Sequence, residues 1–432
     1  MAARGQRAER GVGDAFEPGM APQCGEQKRP GRVDNSHLKS GGGYLESESK
    51  MIPVQDATTV KEYKTWTAPQ PRRLKSHSIA LSALLAALSL PSAVLAQAPL
   101  QFTDMLGNPV AQAAPSTRAV SLPMPGGTLL MSLDGGSSRH LAGMHPDSYA
   151  RMADPVPSRL FPHMEGVRSD ITRSGFVPNV ETLLRIQSDM VWQWGHMGDD
   201  LIAPLRNAGL PVAALLYGTE VRTREWIRLM GHSLGQDARA ARQLAWRDDV
   251  RARILAVTGG LRADERPGVL YLSRYRPQLR TSGAGSSFDD DIQLTGGRNV
   301  AAAVVGTGQS VGIEQIMAWA PDVILLNNFE SGLTPALIYA DPLFADIPAV
   351  RSHRVYMIPA GGYIWDPPSQ ESPLYWQWLS QLLHPGRFDW PLREHIAQAY
   401  AWLYGSDIDA ADIDKVLRMR LNQGAAGYDR LR

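Results

Sequence analysis

The chain has 432 residues, 44% of them hydrophobic, with 44 Lys and Arg against 43 Asp and Glu and a formal net charge of +1. That is enough apolar content for a large core. The balanced charge carries no bias toward polyanions, so nucleic acid is not an expected partner. In chain order, residues 1–71 are rich in Gly, Arg, Glu, Pro and Ser and lack sustained apolar periodicity, and they read as a disordered or untranslated leader. A start at Met51, or a non-Met start near Arg72, gives a more ordinary precursor, and translation from Met1 stays open. Residues 72–96 follow with Arg72-Arg73, Lys75, an apolar run from Ile79 to Leu90, Pro91 and the small-residue stretch ending at Ala96. This is the pattern of a secretory signal peptide cleaved near Ala96. A retained membrane helix needs about 18 uninterrupted apolar residues, whereas Ser82, Ser89 and Pro91 interrupt this run. The only cysteine, Cys24, lies in the leader, so the mature chain from about Gln97 has no disulfide and no lipid-anchoring thiol.

In the mature part, short apolar runs alternate with segments of helical period, the pattern of parallel sheets flanked by helices. Expected strands are Arg118–Leu122, Thr128–Leu133, Met190–Trp194, Pro211–Leu216, Val269–Ser273, Val323–Asn327 and Arg354–Ile358. Between the two groups, Thr223 to Thr258 is dense in helix formers. Gly235 interrupts that stretch, and Asp237 is placed to cap a helix of about twenty residues ending at Gly259 and Gly260. An internal repeat aligns Pro178–Val191 with Val311–Ile324, each copy carrying a Glu (Glu181, Glu314) eight residues before an Asp (Asp189, Asp322). Each copy reads as a short helix, a tight turn at the Asp and a buried strand. Two similar halves joined by one long helix give an α/β fold of two Rossmann-like lobes with a ligand cleft between them. The expected boundaries are 97–236 for the N-terminal lobe, 237–260 for the linker helix, 261–388 for the C-terminal lobe and 389–432 for a helical extension.

These pieces resemble the periplasmic binding proteins of iron-siderophore, haem and cobalamin ABC importers. The resemblance runs from about Phe102 to Phe388. It includes the opening Phe102–Val110 hairpin, the Arg118–Leu122 strand, the two Glu-to-Asp units, Leu294–Val300 and the closing Trp376–Leu379 with Leu383-His384-Pro385. It implies binding without chemistry, a monomer that docks on an inner-membrane ABC permease, and no cofactor beyond a ligand that carries a metal, Fe3+ first. It also implies that Glu181 and Glu314 pair with permease arginines. Paired carboxylates on one face suit such docking, although a Glu in the first turn of a helix stabilises that helix without any partner.

Ligand residues are expected in loops beyond strand C-terminal ends. Those loops hold Met144 and His145, Trp194 and His196, Arg274 and Tyr275, Phe329, Tyr363 and Trp365. Arginines beside aromatic rings suit an anionic, partly aromatic chelate such as a ferric siderophore. Haem, cobalamin, a nickel or cobalt chelate and an oxyanion are the alternatives. His145 and His196, each beside a Met, with His163 as a third, are candidates for direct metal binding. No His-x-x-x-His spacing supports an all-protein site. Gly231-His232-Ser233-Leu234-Gly235 matches the nucleophile elbow of serine hydrolases, with Ser233 as nucleophile and His353 or His384 as base. The helical spacing of Trp226, Ile227, Leu229 and Met230 opposes the strand that an elbow requires. No phosphate loop is present, and Asp289-Asp290-Asp291 reads as a solvated loop because it lacks calcium-loop spacing.

Overall fold

Two sheets, the first parallel and the second parallel-rich, each covered on both faces, form the frame of the protein. The computed structural model describes residues 99–432, so the expected leader and signal peptide lie outside the described residues. A hairpin of β1 (Leu100–Thr103) and β2 (Pro109–Gln112) comes first. The first main sheet contains β3 (Ala119–Ser121), β4 (Leu141–Met144), β5 (Met190–Trp194) and β6 (Val212–Leu215) in the order β4-β3-β5-β6, every pair parallel. The second is built on β7 (Gly268–Arg274), β8 (Arg280–Thr281), β9 (Arg298–Asn299), β10 (Gln309–Ser310), β11 (Val323–Leu326) and β12 (Val355–Met357). Its order is β10-β8-β7-β11-β12, with β9 also on β7; β11 is parallel to both of its neighbours, and β8 is antiparallel to both of its own.

Side chains alternate along these strands between two apolar layers. Val191 joins one cluster and Trp192 the other; Leu270 and Val269 divide in the same way. A strand buried on both faces therefore reads as a continuous apolar run. The inner layers of the two sheets merge around the helix Asp237–Thr258, which is about 33 Å long at 1.5 Å per residue. Gly235, at φ +66°, makes the turn between this linker and the preceding helix Glu220–Ser233. Gln236 takes the N-cap position expected for Asp237, which instead accepts a hydrogen bond from the His232 ring at 3.1 Å.

The repeat has a clear structural purpose. Asp189 accepts the backbone N–H groups of Thr117 at 2.8 Å and Arg118 at 3.0 Å, just before β3. Asp322 accepts that of Gly268 at 2.7 Å, where β7 begins. Each aspartate thus fixes the entry of the first strand of its sheet while its own chain continues into the neighbouring strand.

One expected strand is a helix. Thr128–Leu133 belongs to the helix Met124–Leu133, opened by Pro125 in its first turn, and β4 follows where no strand was expected. The run is apolar throughout, and periodicity does not separate a short buried strand from a buried helix. Gly126 and Gly127 bring this helix against β3 and β4: a Cβ on Gly127 would lie 2.7 Å from the Met144 side chain. Asp289-Asp290-Asp291 is also not a solvated loop. It lies in the first turns of the helix Ser287–Leu294, capped by Ser286, with Asp289 and Asp291 buried.

Candidate binding site

The C-terminal ends of β3 to β6 and those of β7, β11 and β12 supply the loops where the two halves meet. Arg151, after the short helix Pro146–Ala150 that follows β4, reaches across and donates to the backbone oxygen of Asn328, beyond β11, at 2.9 Å. Its guanidinium lies 5.6 Å from the Phe329 ring centroid. Met124 packs with Tyr363 and Ile364 from the opposite half, and Phe176 and Phe329 flank them. Beside this junction is a cavity of about 460 Å³, walled by Arg151 and Asp154 from the first half, Tyr363 and Ile364 from the second, and Lys415 and Arg418 from the C-terminal segment. A space of several hundred Å³ with a few polar groups on its walls is the usual form of a small-molecule site.

Asn328 organises the polar part. Its amide donates to Asp366 at 2.9 Å and to the Ile358 carbonyl at 3.0 Å, while Arg418 approaches its side-chain oxygen at 3.4 Å. Asp366 is fully buried and also receives the Tyr271 hydroxyl at 3.2 Å. Burial pushes its carboxyl above the ordinary range against the pull of the Asn328 amide. Burial likewise raises the Tyr363 phenol.

The expected ligand residues divide sharply. Tyr363 lines the cavity, and Phe329 stands next to it under Arg151. Met144 is fully buried beneath Gly127, and His145 is a core residue whose ring contacts the Gly175 carbonyl and the Asp147 N–H, both at 3.2 Å. Burial holds the His145 imidazole below its ordinary pKa. Trp194 is buried in an aromatic group with Phe176, Tyr217 and Trp226. His196 is exposed and sits edge-on to Trp194. Arg274 ends β7 opposite Arg280, and Tyr275 is tied to Asp341 at 2.5 Å through its hydroxyl and to Glu330 at 2.6 Å through its N–H. Trp365 lies in the core, its indole N–H donating to Glu371 at 2.5 Å. Among the described residues no three His, Cys, Asp or Glu side chains converge on a metal-sized site, and His163 is not grouped with His145 and His196.

The comparisons with known proteins agree with this architecture. Residues 172–361 match the family model described as periplasmic binding protein. A periplasmic solute-binding protein from Veillonella parvula is 30% identical with a TM-score of 0.69, the match covering 76% of this chain and 99% of that one. The chain belongs to the periplasmic binding protein family. The molybdate-binding protein MolA of Haemophilus influenzae is 23% identical over 73% of this chain and 92% of its own length. Its molybdate-bound structure gives a TM-score of 0.63, covering 72% of this chain and 99% of that one. Helicobacter pylori CeuE in a nickel-histidine complex gives a TM-score of 0.60 at 18% identity, covering 74% and 99%.

As a family member this is a binding protein, not an enzyme, and the hydrolase motif has another explanation. Ser233 is fully buried at the end of the helix Glu220–Ser233, with no strand before it. Gly231 allows close helix contact, since a Cβ there would lie 2.5 Å from that of Ala240 on the linker. His384 is buried against the Gly296 carbonyl at 3.1 Å, and the His353 ring lies tilted against Tyr339. Among the described residues no helix is long and apolar enough to cross a membrane.

Arg151 and Arg418 were not among the expected ligand residues, whereas Asn328 belongs to the expected Asn327-Asn328-Phe329 loop. Arg151 lies in a helical turn beyond the short helix Pro146–Ala150, past the expected Met144 and His145. Arg418 lies in a segment whose sequence carries no recognisable binding pattern.

Proposed function

We propose that this protein is the periplasmic solute-binding component of an ABC importer, capturing a metal chelate, a ferric siderophore first, and delivering it to an inner-membrane permease. The cavity of about 460 Å³ between the halves carries this reading. It corresponds to roughly fifteen water volumes, more than a five-atom oxyanion fills. Guanidinium, phenol and aromatic groups on or beside its walls suit the carboxylate or catecholate oxygens of such a chelate. In this reading the metal arrives on its chelate, and the chain acts as a monomer exported by the signal peptide at residues 72–96. A second reading, a free oxyanion, is favoured by the likeness to the molybdate-binding relative.

The experiment is tryptophan fluorescence titration of the chain with ferric siderophores, haem, cobalamin, nickel-histidine and molybdate. Saturable quenching by one ferric siderophore at micromolar or lower concentration supports the first reading. Saturation by molybdate alone supports the second, and silence across the panel from a folded protein overturns both.

A further inference from the structure

We propose that Arg418 of the C-terminal segment and Arg151 of the first half form a two-guanidinium clamp, held together by Asn328, for an oxyanionic group of the bound solute. This rests on the solute-binding reading above and names the chemistry at one end of its site.

The clamp is assembled from three distant parts of the chain. Arg151 follows β4, Asn328 follows β11, and Arg418 lies beyond the segment matched by the family model, which ends at residue 361. Asn328 receives both cations, Arg151 on its backbone oxygen at 2.9 Å and Arg418 on its side-chain oxygen at 3.4 Å. Both arginines line the same cavity. Like charges brought together repel, and among the described residues neither arginine forms an ion pair. The carboxylates nearby offset this repulsion only through space, with Asp154 and the buried Asp366 attracting Arg418 but not bonding it. Asp414 on the wall is taken by Arg393 at 2.9 Å, and Asp366 lies behind Asn328, bonded to that amide and to Tyr271. Asp154 alone on that wall faces Arg418 across space.

Arg418 stands just past the helix Ala410–Val416 in the left-handed position that ends it, with its own N–H on the Lys415 carbonyl at 3.1 Å and that of Met419 on the Asp414 carbonyl at 3.0 Å. Its φ is +54°, in the left-handed region that a side chain other than Gly or Asn rarely adopts. Its Nε is buried with no hydrogen-bond partner. The Arg418 guanidinium on the cavity wall has one long contact, to the Asn328 oxygen, and the partner that completes a desolvated cation is an anion. The planar fork of arginine takes two oxygens at once, so a carboxylate, a catecholate or a tetraoxo anion fits, whereas a bare cation or an uncharged ligand would leave the repulsion in place. The C-terminal segment is then a third wall of the site in addition to a brace on the second half.

The test uses the full chain and three probes: sodium molybdate, a ferric tricatecholate siderophore, and a ferric trihydroxamate siderophore without acidic groups as the uncharged control. Arg418→Gly is the first variant because glycine relieves the positive φ, so thermal stability should hold or rise. Affinity for the anionic probe that the parent binds should fall about ten- to a hundredfold, the range of one charge-assisted hydrogen bond. Arg151→Gln, a milder change at a partly exposed side chain, should give a loss of the same kind. Parent binding of molybdate assigns the clamp to a free oxyanion, and parent binding of the tricatecholate assigns it to a group on a chelate. Unchanged affinity in both variants overturns the clamp and leaves the solute-binding reading standing. So does a parent that prefers the trihydroxamate to both anions. A folded parent that binds none of the three overturns the clamp and the chelate reading together.

Discussion

The guanidinium of Arg247, in the middle of the linker helix, meets the carboxylate of Glu220 along both edges, with Nε donating to Oε1 at 2.9 Å and Nη2 to Oε2. Its remaining nitrogen donates to the Ser369 carbonyl at 2.8 Å, and its plane lies 4.9 Å from the Trp376 ring centroid. Arg247 is 1% exposed. One side chain thus ties the linker to the helix that leaves the first sheet and to the loop before the buried helix Ser372–Leu383 of the second half.

Removing one member of a buried ion pair leaves its partner charged and desolvated, which costs about 3–5 kcal/mol. Arg247→Ala should therefore lower stability by about that amount in urea unfolding. The double change Arg247→Met with Glu220→Leu should cost less than the sum of the single changes. Strict additivity in that cycle would mean that the pair is not coupled.

Next to this pair, burial pushes the Asp291 carboxyl up to about 7, and Glu220 and Asp290 reinforce the shift, while the Trp376 indole N–H at 2.6 Å and Arg247 oppose it. An aspartate in the unfolded chain titrates near 3.9. A raised folded-state value contributes stability that is complete below about pH 4, declines as pH rises and is gone above about pH 7. Acidifying from pH 8 to 5 should thus stabilise the protein through this group, by on the order of 1–4 kcal/mol. His145 and His384, kept neutral by burial, act in the opposite direction as pH falls. The comparison that isolates Asp291 is with Asp291→Asn, which keeps an oxygen for Trp376. The variant should exceed the parent in melting temperature at pH 8, and the difference should shrink toward pH 5. A constant difference would show that the carboxyl does not change its protonation between pH 5 and 8.

The frame of this fold was legible because parallel strands buried on both faces leave continuous apolar runs, and because the repeat at Asp189 and Asp322 performs the same backbone bonding twice. The linker was legible from Gly235 and the helix formers after it. The site was much less so. A loop beyond a strand end does not by itself bring a side chain to the cavity, since Trp194 and Trp365 turn inward to aromatic and Glu371 partners. The side chains that reach the cavity are set by packing between elements far apart in sequence. Glu371 shows this well: it collects the Trp365 indole, the Tyr400 hydroxyl at 2.7 Å and the Tyr404 hydroxyl. It thereby ties the helix Leu392–Tyr404 of the C-terminal segment to the loop that carries Tyr363, and no local pattern in residues 389–432 announces that role.

The two glutamates of the repeat give the last prediction. Glu181 opens the helix Val180–Arg185 and Glu314 opens the helix Ile313–Trp319, and both are exposed. Three residues after each, on the same helix face, stands a large apolar side chain left in solvent, Leu184 at 49% and Met317 at 47% exposure. A carboxylate paired with an exposed apolar group at two corresponding places suits a surface that orients a basic partner and then excludes water from the contact. Neither glutamate lines the cavity. Glu181→Ala with Glu314→Ala should therefore leave solute affinity within about twofold, since surface changes away from a site shift stability or binding by no more than about 0.5 kcal/mol. Uptake by cells carrying the matching permease should be lost, and restoring either glutamate alone should recover part of it. Normal uptake by the double variant would show that the glutamates serve their own helices through the N-terminal dipole and nothing more, whereas a fall in affinity would connect these surfaces to the closure of the two halves on the solute.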